Sequence, residues 1–282
     1  LSGAAADGAR PRIVWLASYP KSGNTWLRFL LGHLLAGPIE RSAELGGRVP
    51  DAHKIEDWST LDSGRVHYVK THWAFDQIRI AHSCEAAVQI VRNPFDVLAA
   101  NFNFYLLTSA SEIDACDAAG FERLRRAYVE RFIQWRGDLR WLPLGAGSWP
   151  HHVRSWLEAG SRLPVLRLRY EDLLARPGPE VARLVAFLGL EADAAAIESA
   201  VQRSSFEALS ALEEREIGAR QTGLFWRESY NPGHARGQRF VNRGTARFGR
   251  DLLSADERAR IAQLFRTELE LLGYPAAAAG CS

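Results

Sequence analysis

The apolar run Ile13-Val14-Trp15-Leu16-Ala17 passes without a break into Ser18-Tyr19-Pro20-Lys21-Ser22-Gly23-Asn24-Thr25-Trp26, and the segment that follows has helical apolar spacing. Strand, tight turn and helix in immediate succession are a strong local constraint on the fold. A loop that feeds a helix N-terminus presents unpaired backbone N–H groups and the positive end of the helix dipole, and both favour a phosphate. Lys21 adds a full charge and Thr25 a hydroxyl. The stretch departs from G-x-x-x-x-G-K-[ST], because Lys21 precedes its only glycine, Gly23, and no acidic metal-holding partner is evident nearby. An ordinary magnesium-nucleotide reading is weakened accordingly.

Other short apolar runs also end in polar, chemistry-bearing residues. Val88-Gln89-Ile90-Val91 leads into Arg92-Asn93-Pro94-Phe95-Asp96-Val97. A guanidinium at such a strand end can make two charge-assisted bonds to one phosphate, or it can cap the strand or pair with Asp96. Tyr68-Val69 leads into Lys70-Thr71-His72, where a lone histidine could equally be a capping residue. Three further blocks follow: Gly147-Ser148-Trp149-Pro150-His151-His152-Val153-Arg154-Ser155-Trp156, Arg169-Tyr170-Glu171-Asp172-Leu173 and Val201-Gln202-Arg203-Ser204-Ser205-Phe206.

In this order the blocks resemble the cytosolic type of sulfotransferase that uses 3′-phosphoadenosine 5′-phosphosulfate (PAPS), whose patterns include T-Y-P-K-S-G-T-T-W, K-T-H, R-N-P-x-D-V, Y-E-D and T-S-F. Ser18 and Asn24 stand where that family has threonine. The G-S-W-P-x-x-V-R-S-W block and the A-S-Y-P-K start look most like bacterial members that modify natural products, including glycopeptide antibiotics. The resemblance spans roughly residues 12–272 and is weakest over 110–144. It implies that His72 is the catalytic base, that Lys21 stabilises the leaving 5′-phosphate and that Lys70 sits against the sulfuryl oxygens. It also implies a cofactor set of Lys21, Ser22, Gly23, Asn24, Thr25 and Trp26 in the loop, Arg92 on the 3′-phosphate, and Tyr170, Ser204 and Phe206 around the base. A C-terminal signature adds Phe240, Arg243 and Gly244.

Departures from the family pattern mark places to look. Eight positions after Arg92, where the family has a serine on the 3′-phosphate, the chain has Ala100, and Asn101 is the nearest candidate to replace the hydroxyl. A hydrogen bond to a charged group is worth roughly 1.5–3 kcal/mol. In Phe240-Val241-Asn242-Arg243-Gly244-Thr245-Ala246, Asn242 and Arg243 stand where Arg and Lys are usual, and Arg239 is close enough to compensate. Arg250, Ser254 and Ala255 match the family's dimerisation segment poorly, so the oligomeric state stays open.

Length and composition bound the rest. With 282 residues and 47% hydrophobic content the chain can bury one large core, and it shows no internal repeat. The expected organisation is a flexible stretch over 1–10, one domain over 11–275 with 218–250 as a lid and 3′-phosphate loop, and a tail over 276–282. A net charge of +2 is too mild to argue for nucleic acid. Cys84, Cys116 and Cys281 fall in no disulfide framework or zinc pattern, and the helix after Thr25 is interrupted by Arg28 and His33. A soluble, cytoplasmic protein with no membrane partner is expected.

Apolar runs at Ile13–Ala17, Val66–Val69, Ala86–Val91 and Val165–Leu168, separated by helical patterns, predict an α/β fold with a single doubly wound, mainly parallel sheet and helices on both faces. Packing helices are expected over Glu180–Leu188 and Ala255–Leu272. Ligands of such sheets sit beyond the carboxyl ends of the strands, where Lys21, His72, Arg92 and Tyr170 all fall. The resulting expectation is metal-free, in-line transfer of a sulfuryl group from PAPS to a hydroxyl of a small-molecule acceptor, with an acceptor pocket built from Trp73, Phe75 and the aromatic-rich stretch Phe102-Asn103-Phe104-Tyr105, above all Phe102 and Tyr105. A small-molecule kinase, a sulfotransferase-fold dehydratase and a non-catalytic nucleotide binder are the alternatives.

Overall fold

A computed structural model describes residues 11–78, 83–109, 117–227, 231–242 and 248–274. In chain order the main elements are β1 (Arg12–Ala17), α1 (Asn24–Ala36), α2 (Leu45–Arg48), β2 (Val66–Thr71), β3 (Ser83–Val91), α3 (Pro94–Thr108), α4 (Ala118–Trp135) and α5 (Trp149–Ala159). They continue with β4 (Val165–Arg169), α6 (Tyr170–Ala175), α7 (Pro177–Leu188), α8 (Ala194–Arg203), α9 (Phe206–Gly218), α10 (Phe248–Leu252), α11 (Ala255–Leu264) and α12 (Arg266–Leu271). All four strands run one to three residues beyond the apolar runs: β1 starts at Arg12, β2 continues to Thr71, β3 starts at Ser83 and β4 reaches Arg169.

All pairings are parallel, in the order β2-β1-β3-β4. The chain winds from β1 to β2 on one side, then crosses to the other side of β1 for β3 and β4. The winding therefore reverses between β1 and β3, and the loops after Ala17 and Val91 leave the sheet side by side at that switch point, where such folds bind ligands.

Alternation along β1 decides which layer each residue joins. Ile13, Trp15 and Ala17 pack with Ala87, Trp156 and Ala159 under α5. Leu16 packs with Val88, Ile90 and Leu168 against Leu27, Leu30 and Leu31 of α1 and Val181 and Leu184 of α7. Both faces are thus covered, as a parallel sheet requires. A further cluster joins Leu98 and Phe102 of α3, Tyr128 and Phe132 of α4, Trp149 of α5, and Ile261 and Phe265 of the C-terminal helices.

The expected helix over Ala255–Leu272 is two helices. A capping box formed by Ser254 and Glu257 starts α11, but Phe265 leaves helical geometry at φ −111° and ψ 18°. Its fully buried ring lies 5.1 Å from Trp149 and 6.5 Å from Phe132, so tertiary packing overrides local continuity here. Among the described residues no helix is long and apolar enough to cross a membrane.

Candidate active site

A cavity of about 450 Å³ opens at the carboxyl edge of the sheet and gathers residues from the loops after β1, β2 and β3, from α3, and from the segment 224–242. Its first corner is the turn into α1. Lys21 and Gly23 adopt left-handed backbone, φ +69° and +103°. A Cβ at position 23 would stand 2.6 Å from the Tyr170 ring, so glycine is required by conformation and by space alike. No side chain caps the N-terminus of α1, which leaves its first-turn N–H groups for a ligand. Asn24 instead turns its amide Nδ2 back to donate to Leu16 O at 2.9 Å and Ser18 Oγ at 3.1 Å.

The Lys21 ammonium lies 4.0 Å from the centre of the Phe240 ring and 4.6 Å from that of Phe104. Burial, followed by repulsion from Arg140, lowers its pKa to about 7. An anion placed here would restore the charge.

Arg92 builds the second corner. Its guanidinium lies 4.1 Å from the centre of the Tyr170 ring and 3.8 Å from the Asp96 carboxylate. Both the stacking and the ion pair orient the fork. Behind it, Asn93 caps α3 by accepting from the Asp96 N–H, and it donates through Nδ2 to Glu171 at 2.7 Å. Tyr274 donates to the same Glu171 carboxylate, which ties the Tyr170 turn to the end of β3. Trp26 meets Tyr170 edge-on at 5.5 Å, and Thr25, Ser204 and Phe206 complete this end of the wall. Ser204 Oγ in this wall is buried without a hydrogen-bond partner among the described residues; Ser22 Oγ is likewise unpartnered, but Ser22 does not line the cavity. An orphaned hydroxyl carries a desolvation cost that a phosphate or ribose oxygen would remove.

The third corner holds His72, just beyond β2. Its Nδ1 lies 2.8 Å from the Ser18 carbonyl, which can only accept, so Nδ1 carries the hydrogen and Nε2 keeps its lone pair. Burial, with the positive charge of Lys70, holds the imidazole pKa well below its usual value. His53 accepts from the His72 N–H at 3.0 Å and is itself lowered to about 4, chiefly by burial. Lys70 is ion-paired with both oxygens of Asp51, at 3.1 and 3.0 Å. Burial lowers the Lys70 pKa to about 8 against the opposing pull of that carboxylate.

Several sequence expectations need correction. Trp73, Phe75, Phe102 and Tyr105 do not line the cavity. Phe102 and Tyr105 pack with the α4 cluster, and Trp73 and Phe75 pack against the Trp156 side of the sheet. On α3, Ala100, Asn103 and Phe104 share the face toward the cavity, and residues 102 and 105 lie on the other side of the same helix. The aromatic wall is formed by Phe104, Trp141 and Phe240. Asn101 does not replace the hydroxyl missing at Ala100. It is fully buried, donates to Val97 O and Pro20 O, and accepts from the Trp141 indole at 2.7 Å.

Arg243 and Gly244 lie outside the described residues. Phe240, Val241 and Asn242, just before them, do line the cavity. Buried Glu213 of α9 accepts from the Phe240 N–H at 2.6 Å and the Val241 N–H at 2.7 Å, which fixes Phe240 over Lys21. Of the expected stretch Phe102-Asn103-Phe104-Tyr105, Asn103 and Phe104 do line the cavity. Asp51, His53 and Glu213 carry no signal in the sequence, since each matters through a long-range contact that no local spacing announces.

The model of the "Sulfotransferase domain" family matches residues 11–273. Mouse sulfotransferase 1B1 is 27% identical over 212 residues, covering 70% of this chain and 65% of that protein. Human sulfotransferase 1E1 is 28% identical over 213 residues, covering 71% and 66%. The matched region is thus just under two thirds of either relative's length. Among solved structures, mouse sulfotransferase SULT7A1 complexed with PAP (the product PAPS leaves, adenosine 3′,5′-bisphosphate) superposes with a TM-score of 0.63 at 20% identity, over 93% of this chain and 86% of that one. Retinol dehydratase in complex with androsterone and PAP gives 0.60 at 17% identity, over 93% and 81%. These two likenesses establish the shared fold, and the match across nearly the whole length shows that the chain belongs to the sulfotransferase domain family.

Proposed function

We propose that the protein transfers a sulfuryl group from PAPS to a hydroxyl of a small-molecule acceptor, a natural product on the resemblance of its motifs to bacterial members. The observation that carries this reading is His72: with Nδ1 tied to Ser18, Nε2 is left as a base in the same cavity as Lys21, the uncapped α1 and the Arg92–Tyr170 stack. The residues fit the nucleotide, because the buried Ser204 hydroxyl in the cavity wall lacks a partner among the described residues and two cations stand at separate corners of one wall.

Bound PAPS would supply an activated sulfuryl group. Lys21 and the α1 amides hold the 5′-phosphate, Arg92 the 3′-phosphate, and Tyr170, Trp26 and Phe206 the adenine. His72 Nε2 takes the acceptor proton as the hydroxyl oxygen bonds to sulfur and the bond from sulfur to the 5′-phosphate oxygen breaks, so that PAP leaves with the charge that Lys21 offsets. A neutral imidazole at physiological pH suits that task, and the depressed pKa keeps it neutral. Lys70 releases Asp51 to meet the sulfuryl oxygens. The lysines supply the counter-charge, so the reaction proceeds without a metal. The segment 218–250 serves as the lid, anchored by Glu213.

Two measurements test this. PAP should raise the thermal midpoint by several degrees at 100 times its Kd, a gain of about 2.7 kcal/mol, with no metal present, and 5′-AMP should do much less. His72→Ala should lower turnover by about 10²–10⁴-fold and leave PAP binding intact. Equal responses to PAP and 5′-AMP, or normal turnover in the variant, would remove the assignment.

A further inference from the structure

We infer that Asn24 is a positioning residue for His72, acting through Ser18, whose carbonyl decides which nitrogen of the imidazole serves as the base. This deepens the sulfotransferase reading and rests on it.

Ser18 and Asn24 are the two positions at which the turn after β1 departs from the family pattern, and they flank the phosphate turn on either side. Folding brings them together. Asn24 Nδ2 donates to Ser18 Oγ at 3.1 Å and to the carbonyl of Leu16, inside β1, at 2.9 Å. Ser18 is fully buried and Asn24 is only 5% exposed, so water does not compete for these bonds. The Leu16 carbonyl can only accept, which fixes the nitrogen end of the amide against it. The other end, Asn24 Oδ1, is buried without a partner among the described residues. An amide that leaves its own oxygen unpaired is held in place by what its nitrogen does.

Ser18 is gripped from three directions. Its N–H donates to Thr71 O, at the end of β2, at 3.3 Å; its Oγ accepts from Asn24; and its carbonyl accepts from His72 Nδ1 at 2.8 Å, with Oγ itself 3.3 Å from the same nitrogen. The Thr71 bond holds only the amide side of the residue. The Asn24 bond holds its side chain, and together they fix the Cα from which the carbonyl projects. That carbonyl keeps the hydrogen on Nδ1, so a Ser18 free to swing would release the ring to the tautomer in which Nε2 is no longer a base. Asn24 is also the first residue of α1, so one side chain ties the start of the phosphate cradle to the support of the base. A threonine hydroxyl at position 24 has a single hydrogen and cannot donate to both Leu16 and Ser18.

The test is read on the His72 ring by nuclear magnetic resonance of the full chain, isotopically labelled at its histidine nitrogens, with saturating PAP and without it. The unaltered protein should show a protected hydrogen on Nδ1 and none on Nε2, a signal assigned by its loss in His72→Gln. Asn24→Ala should speed solvent exchange of that hydrogen by at least about tenfold, the scale of one lost hydrogen bond. Ser18→Ala, which removes Oγ and keeps the carbonyl, should do the same, and it carries the test should Asn24→Ala fail to fold. The double variant should lie within about twofold of the faster single one, because the two side chains act in series. A lower thermal midpoint in Asn24→Ala with exchange and tautomer unchanged would mean that Asn24 only steadies α1, and the inference would fall. Effects of the two substitutions that multiply, or a hydrogen that is unprotected or sits on Nε2 in the unaltered protein, would also overturn it. Alanine keeps the backbone N–H at position 24, so the PAP affinity should stay within about threefold. Calorimetric titration of PAP in the same samples reads that affinity separately, so failure of the nucleotide reading is distinguishable from failure of the positioning role.

Discussion

Replacing Lys21 by arginine should remove most of the pH dependence of PAP binding. In the free protein the Lys21 ammonium is pulled down to about 7, first by burial and then by Arg140. A bound phosphate favours the charged form, so binding raises that pKa and takes up a proton wherever the free lysine is neutral. Below about pH 7 the lysine is already charged and adds no pH dependence of its own; above it, affinity falls by up to about tenfold per unit. Between about pH 7 and about pH 9 the charged fraction of the free lysine drops from about one half to about one hundredth, so Kd should rise about 50-fold, or about 2.3 kcal/mol. The ligand contributes little over this range because a phosphate monoester loses its second proton near about pH 6. Lys70 also contributes little, since Asp51 holds it and PAP lacks the sulfuryl group it would meet. Arginine stays charged throughout, so the Kd of Lys21→Arg should change by less than about threefold. Calorimetric titration in two buffers of different ionisation enthalpy gives both Kd and the proton uptake. A flat Kd in the unaltered protein, or the same slope in the variant, would refute the argument.

Ala100→Ser should restore a hydroxyl to the cavity wall and widen the preference for PAP over 5′-AMP by about tenfold or more, the worth of one hydrogen bond to a charged group; an unchanged ratio in paired titrations would place the 3′-phosphate elsewhere. Gly23→Ala demands left-handed backbone from alanine and drives its Cβ into the Tyr170 ring, so PAP affinity should fall at least about tenfold, on a strain of about 1–2 kcal/mol before any clash. Asp51→Asn removes the carboxylate that keeps Lys70 charged, so the alkaline limb of kcat should move to lower pH by about one unit. An unmoved limb would mean that Lys70 does not set it.

The position of the cavity residues was legible wherever they followed a strand. Lys21, His72, Arg92 and Tyr170 each sit just past the end of a parallel strand, and parallel strands bring their carboxyl ends to one edge however the helices between them pack. Local pattern therefore sufficed for the parallel winding, for the strand–turn–helix corner before α1 and for bringing these four to the cavity edge. It did not suffice for α3, which is buried on several sides: periodicity sets the phase between residues 100, 103 and 104 but not which way that face turns, and so the sequence offers the whole run Phe102-Asn103-Phe104-Tyr105 where only Asn103 and Phe104 line the cavity.

Pairing across distant elements was equally invisible. Asp51 reaches Lys70 only because the stretch before it bridges β2, and Glu213 grips Phe240 and Val241 from a helix more than twenty residues away. What the chain determined by itself was the set of groups that strand ends deliver to one edge, because backbone geometry enforces that delivery locally. Tertiary packing alone decided which charges are neutralised, which rings line the cavity and which cations are left facing it, because those outcomes depend on burial and on contacts between segments that meet only after the chain has folded.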